Sequence, residues 1–219
     1  MIPPKQNAEF VAHMEDVLEI YHLPYDPRIP VICMDEKPIQ FISDTRHSIP
    51  PSPSQPERYD YEYQRNGTSN IFIFTEPLRG WRKAIVRERK TKQDWAEEIR
   101  TILLNDYPSA SKIILVCDNL NTHTIGALYA TFTPKEALKL SKRLEIHHTP
   151  KHGSWLNIAE IELSVITMQC LNRRIGDSNI LKNEIETWQE KRNDNQKSVN
   201  WQFKSEDARI KLHHLYPQI

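Results

Sequence analysis

The feature that most constrains this chain is an apolar run ending in an acid, Lys112-Ile113-Ile114-Leu115-Val116-Cys117-Asp118-Asn119. Five consecutive apolar residues read as a strand buried on both faces, the signature of a sheet covered by helices on each side. In open α/β sheets, ligands bind outside the carboxyl ends of the strands. Asp118 is therefore placed for chemistry. Taken alone, Asp118-Asn119 also fits a polar strand terminus with Asx-turn chemistry. Two more acids in comparable settings, Asp35 and Glu160, tilt the reading toward a site.

The pattern around that strand predicts an α/β chain. Phe10, Val11, Met14, Val17, Leu18 and Tyr21 recur at helical spacing behind Asn7, a suitable N-cap, giving an entry helix over 8–21. Pro24, Pro27 and Pro30 stiffen the connection to Val31-Ile32-Cys33-Met34, a short strand ending in Asp35-Glu36. From Lys37 to about Asn66 the prolines at 50, 51, 53 and 56 predict a long loop, with an extended piece at Tyr59, Tyr61 and Tyr63. A hairpin follows, with strands over Thr68–Thr75 and Trp81–Glu88. Helices are predicted over 93–106, over 125–143 with a break near Thr133-Pro134, over 157–171 and over 178–192; Leu144–His148 is a strand. The result is a mixed five-stranded sheet with an antiparallel hairpin and flanking helices. The expected organisation is an entry helix and linker over 1–29, a main domain over 30–195, and a tail over 196–219 packed on it.

Composition narrows the function. The 29 basic and 29 acidic residues cancel, which argues against a generic nucleic-acid coat protein while allowing local basic patches. The three cysteines, Cys33, Cys117 and Cys170, are odd in number and widely spaced, as expected in a reducing cytoplasm without a disulfide framework. No run is long enough to span a membrane, the first residues do not form a signal peptide, and no P-loop or dinucleotide fingerprint is present.

Neighbouring strands lie about 4.8 Å apart, so Asp35 and Asp118 can stand side by side. Two carboxylates that close repel unless a cation or a proton lies between them. Oxygen-only donors select a hard cation, Mg²⁺ or Mn²⁺. Glu160, at the start of a helix, is the candidate third ligand. Asn157-Ile158-Ala159-Glu160 equally fits a capping box that needs no metal, and the residues alone leave both roles open. Glu162 lies two residues on, about 200° around a helix, and should face solvent or another surface.

Three blocks carry a resemblance. Cys33-Met34-Asp35-Glu36, then Asp118-Asn119-Leu120-Asn121-Thr122-His123, then His148-Thr149-Pro150-Lys151-His152-Gly153-Ser154-Trp155-Leu156-Asn157-Ile158-Ala159-Glu160 resemble the catalytic blocks of DDE transposases. The match is nearest to the bacterial insertion-sequence branch of the mariner superfamily. The resemblance implies an RNase H-like fold and a Mg²⁺-dependent DNA endonuclease and strand transferase, with Mn²⁺ able to substitute. It assigns Asp35, Asp118 and Glu160 as catalytic metal ligands, with element ends and target DNA as partners and a homo-oligomer as the active form. Family members usually carry an N-terminal helix-turn-helix region, and this chain begins at the entry helix. The expectation is thus an isolated catalytic domain, the second frame of a split gene with a partner polypeptide, or a catalytically silent DNA- or partner-binding remnant.

Further candidates for DNA contact are His123, Lys151, His152, Trp155, Arg173 and Arg174, together with Arg82, Lys83, Arg87 and Arg89 on the hairpin. Each has a plainer alternative: a helix cap for His123, loop polarity for Lys151 and His152, a core anchor for Trp155, a solvated face for the arginines. Zinc at His147, His148 and His152 is disfavoured because the cysteines are singletons.

Overall fold

A computed structural model describes residues 7–46, 49–56, 58 and 60–217. The N-terminal residues 1–6 and Tyr59 lie outside them. Helix α1 (Ala8–Tyr21) starts where Asn7 accepts a hydrogen bond from the Phe10 backbone, as its sequence predicts. Strand β1 (Val31–Asp44) leads into β2 (Tyr63–Glu76) and β3 (Trp81–Arg87). Helix α2 (Lys92–Thr101) closes with a π-helical turn over Ile102–Asp106. Next come β4 (Ile113–Cys117), α3 (Ile125–Thr131), α4 (Pro134–Ser141) and β5 (Leu144–His148). Helix α5 (Ala159–Ile166) ends in a second π turn, Thr167–Leu171, before α6 (Ser178–Asp194) and α7 (Ser205–Lys211).

The sheet order is β3-β2-β1-β4-β5. The two hairpin contacts, β1 with β2 and β2 with β3, are antiparallel; β1 with β4 and β4 with β5 are parallel. This is the expected mixed five-stranded sheet. Alternation along the strands sorts the core into two layers. Cys33, Ile71, Ile73, Ile114 and Val116 pack with α1, α5 and α6. Ile32, Met34, Phe72, Phe74, Leu115 and Cys117 pack with α2, α3 and α4. The tail crosses the first layer: Ala208 and Leu215 are buried in it and Trp201 and Phe203 lean on it.

Three sequence expectations need correction. The strand read as Val31–Met34 runs on to Asp44, so Asp35 and Glu36 lie inside β1 rather than at its end. Beyond Cys33 it leaves β4 and stays paired with β2; from Ile39 on, where β2 has also left β3, the two strands form a two-stranded arm. The flank of β1 that β4 leaves open is an edge, where Pro38 can be accommodated. Correspondingly β2 begins at Tyr63, and the long loop shrinks to 45–62. Both helices predicted to run uninterrupted to 106 and 171 finish in π turns. The buried face of α6 is Leu181, Ile185 and Trp188, and Ile180 is exposed.

The β2–β3 turn depends on Gly80. Its φ is +70°, and a Cβ there would lie 2.6 Å from the Gln196 backbone, so both conformation and space exclude a side chain. Among the described residues no helix is long and apolar enough to cross a membrane.

Candidate active site

The parallel register of β1 and β4 ends at Cys33 opposite Val116. Continuing both strands by two residues brings Asp35 beside Asp118. There β4 stops while β1 keeps following β2, so the sheet parts at the carboxyl end of its parallel half, where such sheets bind ligands. Asp35 has the parity of Cys33 and lies on the α5 side of the sheet. Its pKa is pushed up to about 7: burial is the main cause, the Glu36 N–H donated to Oδ1 at 2.7 Å opposes it, and the charges of Glu160, Asp118 and Glu36 add to it. All three other acids are close enough to be felt at Asp35.

Glu160 stands in the first turn of α5. The capping box does not form. The N-cap position is Ile158, without a side-chain bond, and Asn157 Oδ1 accepts instead from the Ala159 N–H at 3.1 Å. No hydrogen bond or ion pair among the described residues engages the Glu160 carboxylate. It lines an open cleft of about 530 Å³ with Lys37, Pro38, Ser164, Thr167 and Met168.

Asn157 is a site residue whose reach the sequence reading missed. It is buried, and its Nδ2 donates to the Met34 carbonyl at 2.9 Å and lies 3.4 Å from Asp35 Oδ2. One side chain thus joins β1 at Asp35 to the start of α5. The signal was present in the third block, but a local capping role explained it equally well.

Asp118 is held from behind. His123 Nδ1 lies 2.6 Å from Asp118 Oδ1, and its Nε2 lies 3.0 Å from Glu36 Oε1. The ring stacks on Trp95 at 5.8 Å. Burial alone would push the His123 pKa down; contacts with Asp118, Cys117 and Glu36 outweigh it and raise it to about 12. With a carboxylate at each nitrogen, the imidazolium is the form that can donate at both. His123 is fully buried, so the expectation that it contacts DNA is corrected: it braces Asp118. It does not cap α3 either, whose N-cap is Thr124.

The other candidates divide. Lys151 and His152 are exposed in the turn after β5, which the Thr149 N–H ties to the Cys117 carbonyl at 2.9 Å, beside Asp118. Trp155 is the core anchor rather than an open stacking platform; it meets Phe203 edge-on at 6.1 Å. Arg173 pairs with Glu184. Arg174 pairs with Asp44 and donates to the Asp60 carbonyl at 2.8 Å, tying the α5–α6 connection to the β1–β2 arm. Three of the four hairpin cations make ion pairs, Lys83 to Asp106 at 2.6 Å, Arg87 to Glu97 and Glu98, and Arg82 to Glu162 at 3.1 Å, while Arg89, just past β3, is exposed. Glu162 faces away from the cleft, as its spacing predicts, but into a buried ion cluster rather than solvent.

Among the described residues no three His, Cys, Asp or Glu side chains are already drawn into an ion cage. Glu160 and Glu36 line the open cleft, with Asp35 half-buried beside them. The chemistry of the acids still fits a hard cation: oxygen donors only, and one carboxyl pushed toward neutrality by burial and, less, by its acidic neighbours.

Fold and acids together define a mixed α/β sheet that gathers acidic side chains where its parallel strands β1 and β4 part. The family described as DDE superfamily endonuclease matches residues 30–182, and the chain belongs to it. No match was found among curated proteins. Among solved structures, the Mos1 mariner paired-end complex with Mn is 15% identical, with a TM-score of 0.57 over 98% of this chain and 62% of that one. The Mos1 strand transfer complex is 17% identical, with a TM-score of 0.53 over 86% and 56%. The catalytic domain of Mos1 mariner transposase is 13% identical, with a TM-score of 0.54 over 86% and 84%. These likenesses establish the RNase H-like fold. The chain spans about three fifths of the length of the proteins in the two complexes.

Proposed function

We propose that this chain is the catalytic part of a DNA transposase, cleaving phosphodiesters at the ends of a mobile element and joining the freed ends to target DNA. The observation that carries the reading is the meeting of Asp35, Asp118 and Glu160 at one end of the sheet, close enough for the other two charges to raise the Asp35 pKa. Membership of the DDE superfamily endonucleases supports it, as does the likeness to Mos1 complexes described as paired-end and strand transfer. In this reading residues 30–195 form the catalytic domain, with 1–29 and 196–219 packed on it. The partners are element-end and target DNA and a second copy of the chain. A helix-turn-helix region or partner polypeptide would read the ends, and the setting is the cytoplasm.

Asp35, Asp118 and Glu160 would hold Mg²⁺, with Mn²⁺ able to substitute. When bound, the ion supplies Lewis-acid polarisation of phosphoryl oxygens and offsets the clustered negative charge. The rest is done by the chain. Asn157 steadies Asp35 and the start of α5. The His123 imidazolium, itself held by Glu36, orients Asp118 and balances part of its charge. Lys151 and His152, on the rim beside Asp118, are placed to meet a DNA phosphate.

Nicking of labelled duplexes carrying the element's ends, with Mg²⁺ or Mn²⁺, tests the proposal. Cleavage by the wild type that disappears in Asp35→Asn and Asp118→Asn upholds it. DNA binding without cleavage in any metal would favour the silent remnant, and cleavage that persists in both variants would rule out this site.

A further inference from the structure

We infer that Tyr21, the last residue of α1, is a positioning residue for the third acid: its hydroxyl fixes the turn that launches α5 and so sets where Glu160 stands relative to Asp35 and Asp118. The inference rests on reading those three acids as the catalytic set.

A tyrosine hydroxyl has one proton to give and two lone pairs to offer. Here all three are used. The O–H donates to the Leu156 carbonyl at 2.7 Å. The oxygen accepts from the Ile158 N–H at 3.3 Å and faces the Cys33 thiol, a donor, at 3.6 Å. Burial raises the Tyr21 pKa well above the ordinary phenol value, which keeps that proton in place. The two backbone partners flank Asn157, the residue that reaches Asp35. Tyr21 therefore grips the turn from the α1 side while Asn157 grips it from β1.

No side chain caps α5 at Ile158. Apart from Tyr21, the side-chain bonds at this turn among the described residues come from Asn157, whose Oδ1 accepts from the Ala159 N–H and whose Nδ2 donates to the Met34 carbonyl, beside backbone bonds from Leu156 to Gly153 and from Asn157 to Ser154. Glu160 follows two residues after Ile158, before the helix has completed a turn, so its carboxylate inherits any movement of Leu156–Ile158. Trp201 of the tail lies against the Tyr21 ring at 5.4 Å. An entry helix and a tail that look remote from the chemistry thus meet behind it. Misplacing an acid by about 1 Å can cost of the order of a hundredfold in rate.

The test compares Tyr21→Phe, which keeps the ring and removes the hydroxyl, with Val17→Ala, which truncates a buried residue of the same helix and removes no hydrogen bond to the turn. Two readings are taken on each: amide hydrogen exchange at 158–160 without metal, and Mn²⁺ affinity by calorimetry. In Tyr21→Phe, exchange there should quicken about tenfold, the size expected for one lost buried hydrogen bond. Mn²⁺ affinity should fall about tenfold, as it does when a group supporting a ligand is removed. Val17→Ala should change neither, although it lowers the melting temperature. Tyr21→Phe behaving like Val17→Ala in both readings would overturn the tether. A wild-type chain that binds no Mn²⁺ would instead sink the reading of the acids, and the exchange comparison alone would then decide the tether.

Discussion

Replacing Glu162 by Gln should cost stability and spare chemistry, while the same change at Glu160 should do the reverse. Glu162 is almost fully buried and faces two arginines. Arg82 Nη2 lies 3.1 Å from Oε1, and Arg192 Nη2 lies 2.8 and 3.0 Å from its two oxygens. Arg82 is as buried as Glu162, and burial together with the Arg192 charge pulls its pKa down while Glu162 opposes them. Glutamine keeps the volume and one acceptor but removes the charge, leaving two cations facing each other. Removing one partner of a buried pair costs about 3–5 kcal/mol. Arg82 keeps its bonds to the carbonyls of Gly80, Arg192 and Lys197, which argues for the lower end, about 3 kcal/mol. For a chain of this size that is a fall of about 6–12 °C in melting temperature. Glu160, half-exposed and with no hydrogen-bond or ion-pair partner among the described residues, should lose less than about 0.5 kcal/mol on the same change. Thermal unfolding and metal-dependent nicking, measured on both variants well below their transitions, form the assay. Equal melting temperatures for the wild type and Glu162→Gln would refute the ion-cluster argument. Full nicking by Glu160→Gln would refute the choice of third acid.

Asp35→Asn and Asp118→Asn should each abolish Mg²⁺- and Mn²⁺-dependent nicking with the circular dichroism of the fold unchanged, since each removes a ligand charge and almost no volume. DNA binding by this chain should be sequence-indifferent and steeply salt-dependent, with affinities of roughly 10⁻⁴–10⁻⁶ M, because the net charge is zero and Arg82, Lys83 and Arg87 of the hairpin are spent on internal ion pairs; titration of unrelated duplexes at several salt concentrations checks this. Cys33, whose thiol burial pushes up to about 12, should resist alkylation at neutral pH until the chain unfolds, as should buried Cys117, and mass spectrometry of pulse-labelled protein would show it.

Elements that bury a face were legible in the sequence, and those that do not were not. Helix α1 could be read because its apolar residues recur every turn and its cap is local; β4 could be read because burial on both faces demands an unbroken apolar run. The far half of β1 and the near half of β2 pair with each other beyond the rest of the sheet, and few of their side chains, Phe41 above all, reach the core. That ribbon needs no continuous apolar face, so the residues after Asp35 look like loop although eight of them pair with β2. The prolines that suggested a long loop fall at its tip, beyond Asp44.

The same division governs the site. Asp35 and Asp118 could be found because in each strand the apolar run stops at an acid, at the end of β4 and within β1. The partners that set their behaviour are distant in the chain and leave no periodic trace. His123 meets Glu36 from 87 residues away, Asn157 meets Asp35 from 122, and Glu162 meets Arg82 from 80. A local explanation was at hand for two of these, a helix cap for His123 and a capping box for Asn157, and each would satisfy the same polar atoms. The structure decides between them by burial: a side chain enclosed in the core must find its partner there, and for His123 and Asn157 the available partners are the acids and backbone of the site itself. Two residues that looked like ordinary helix punctuation therefore belong to the set of contacts that holds Asp35 and Asp118 in place.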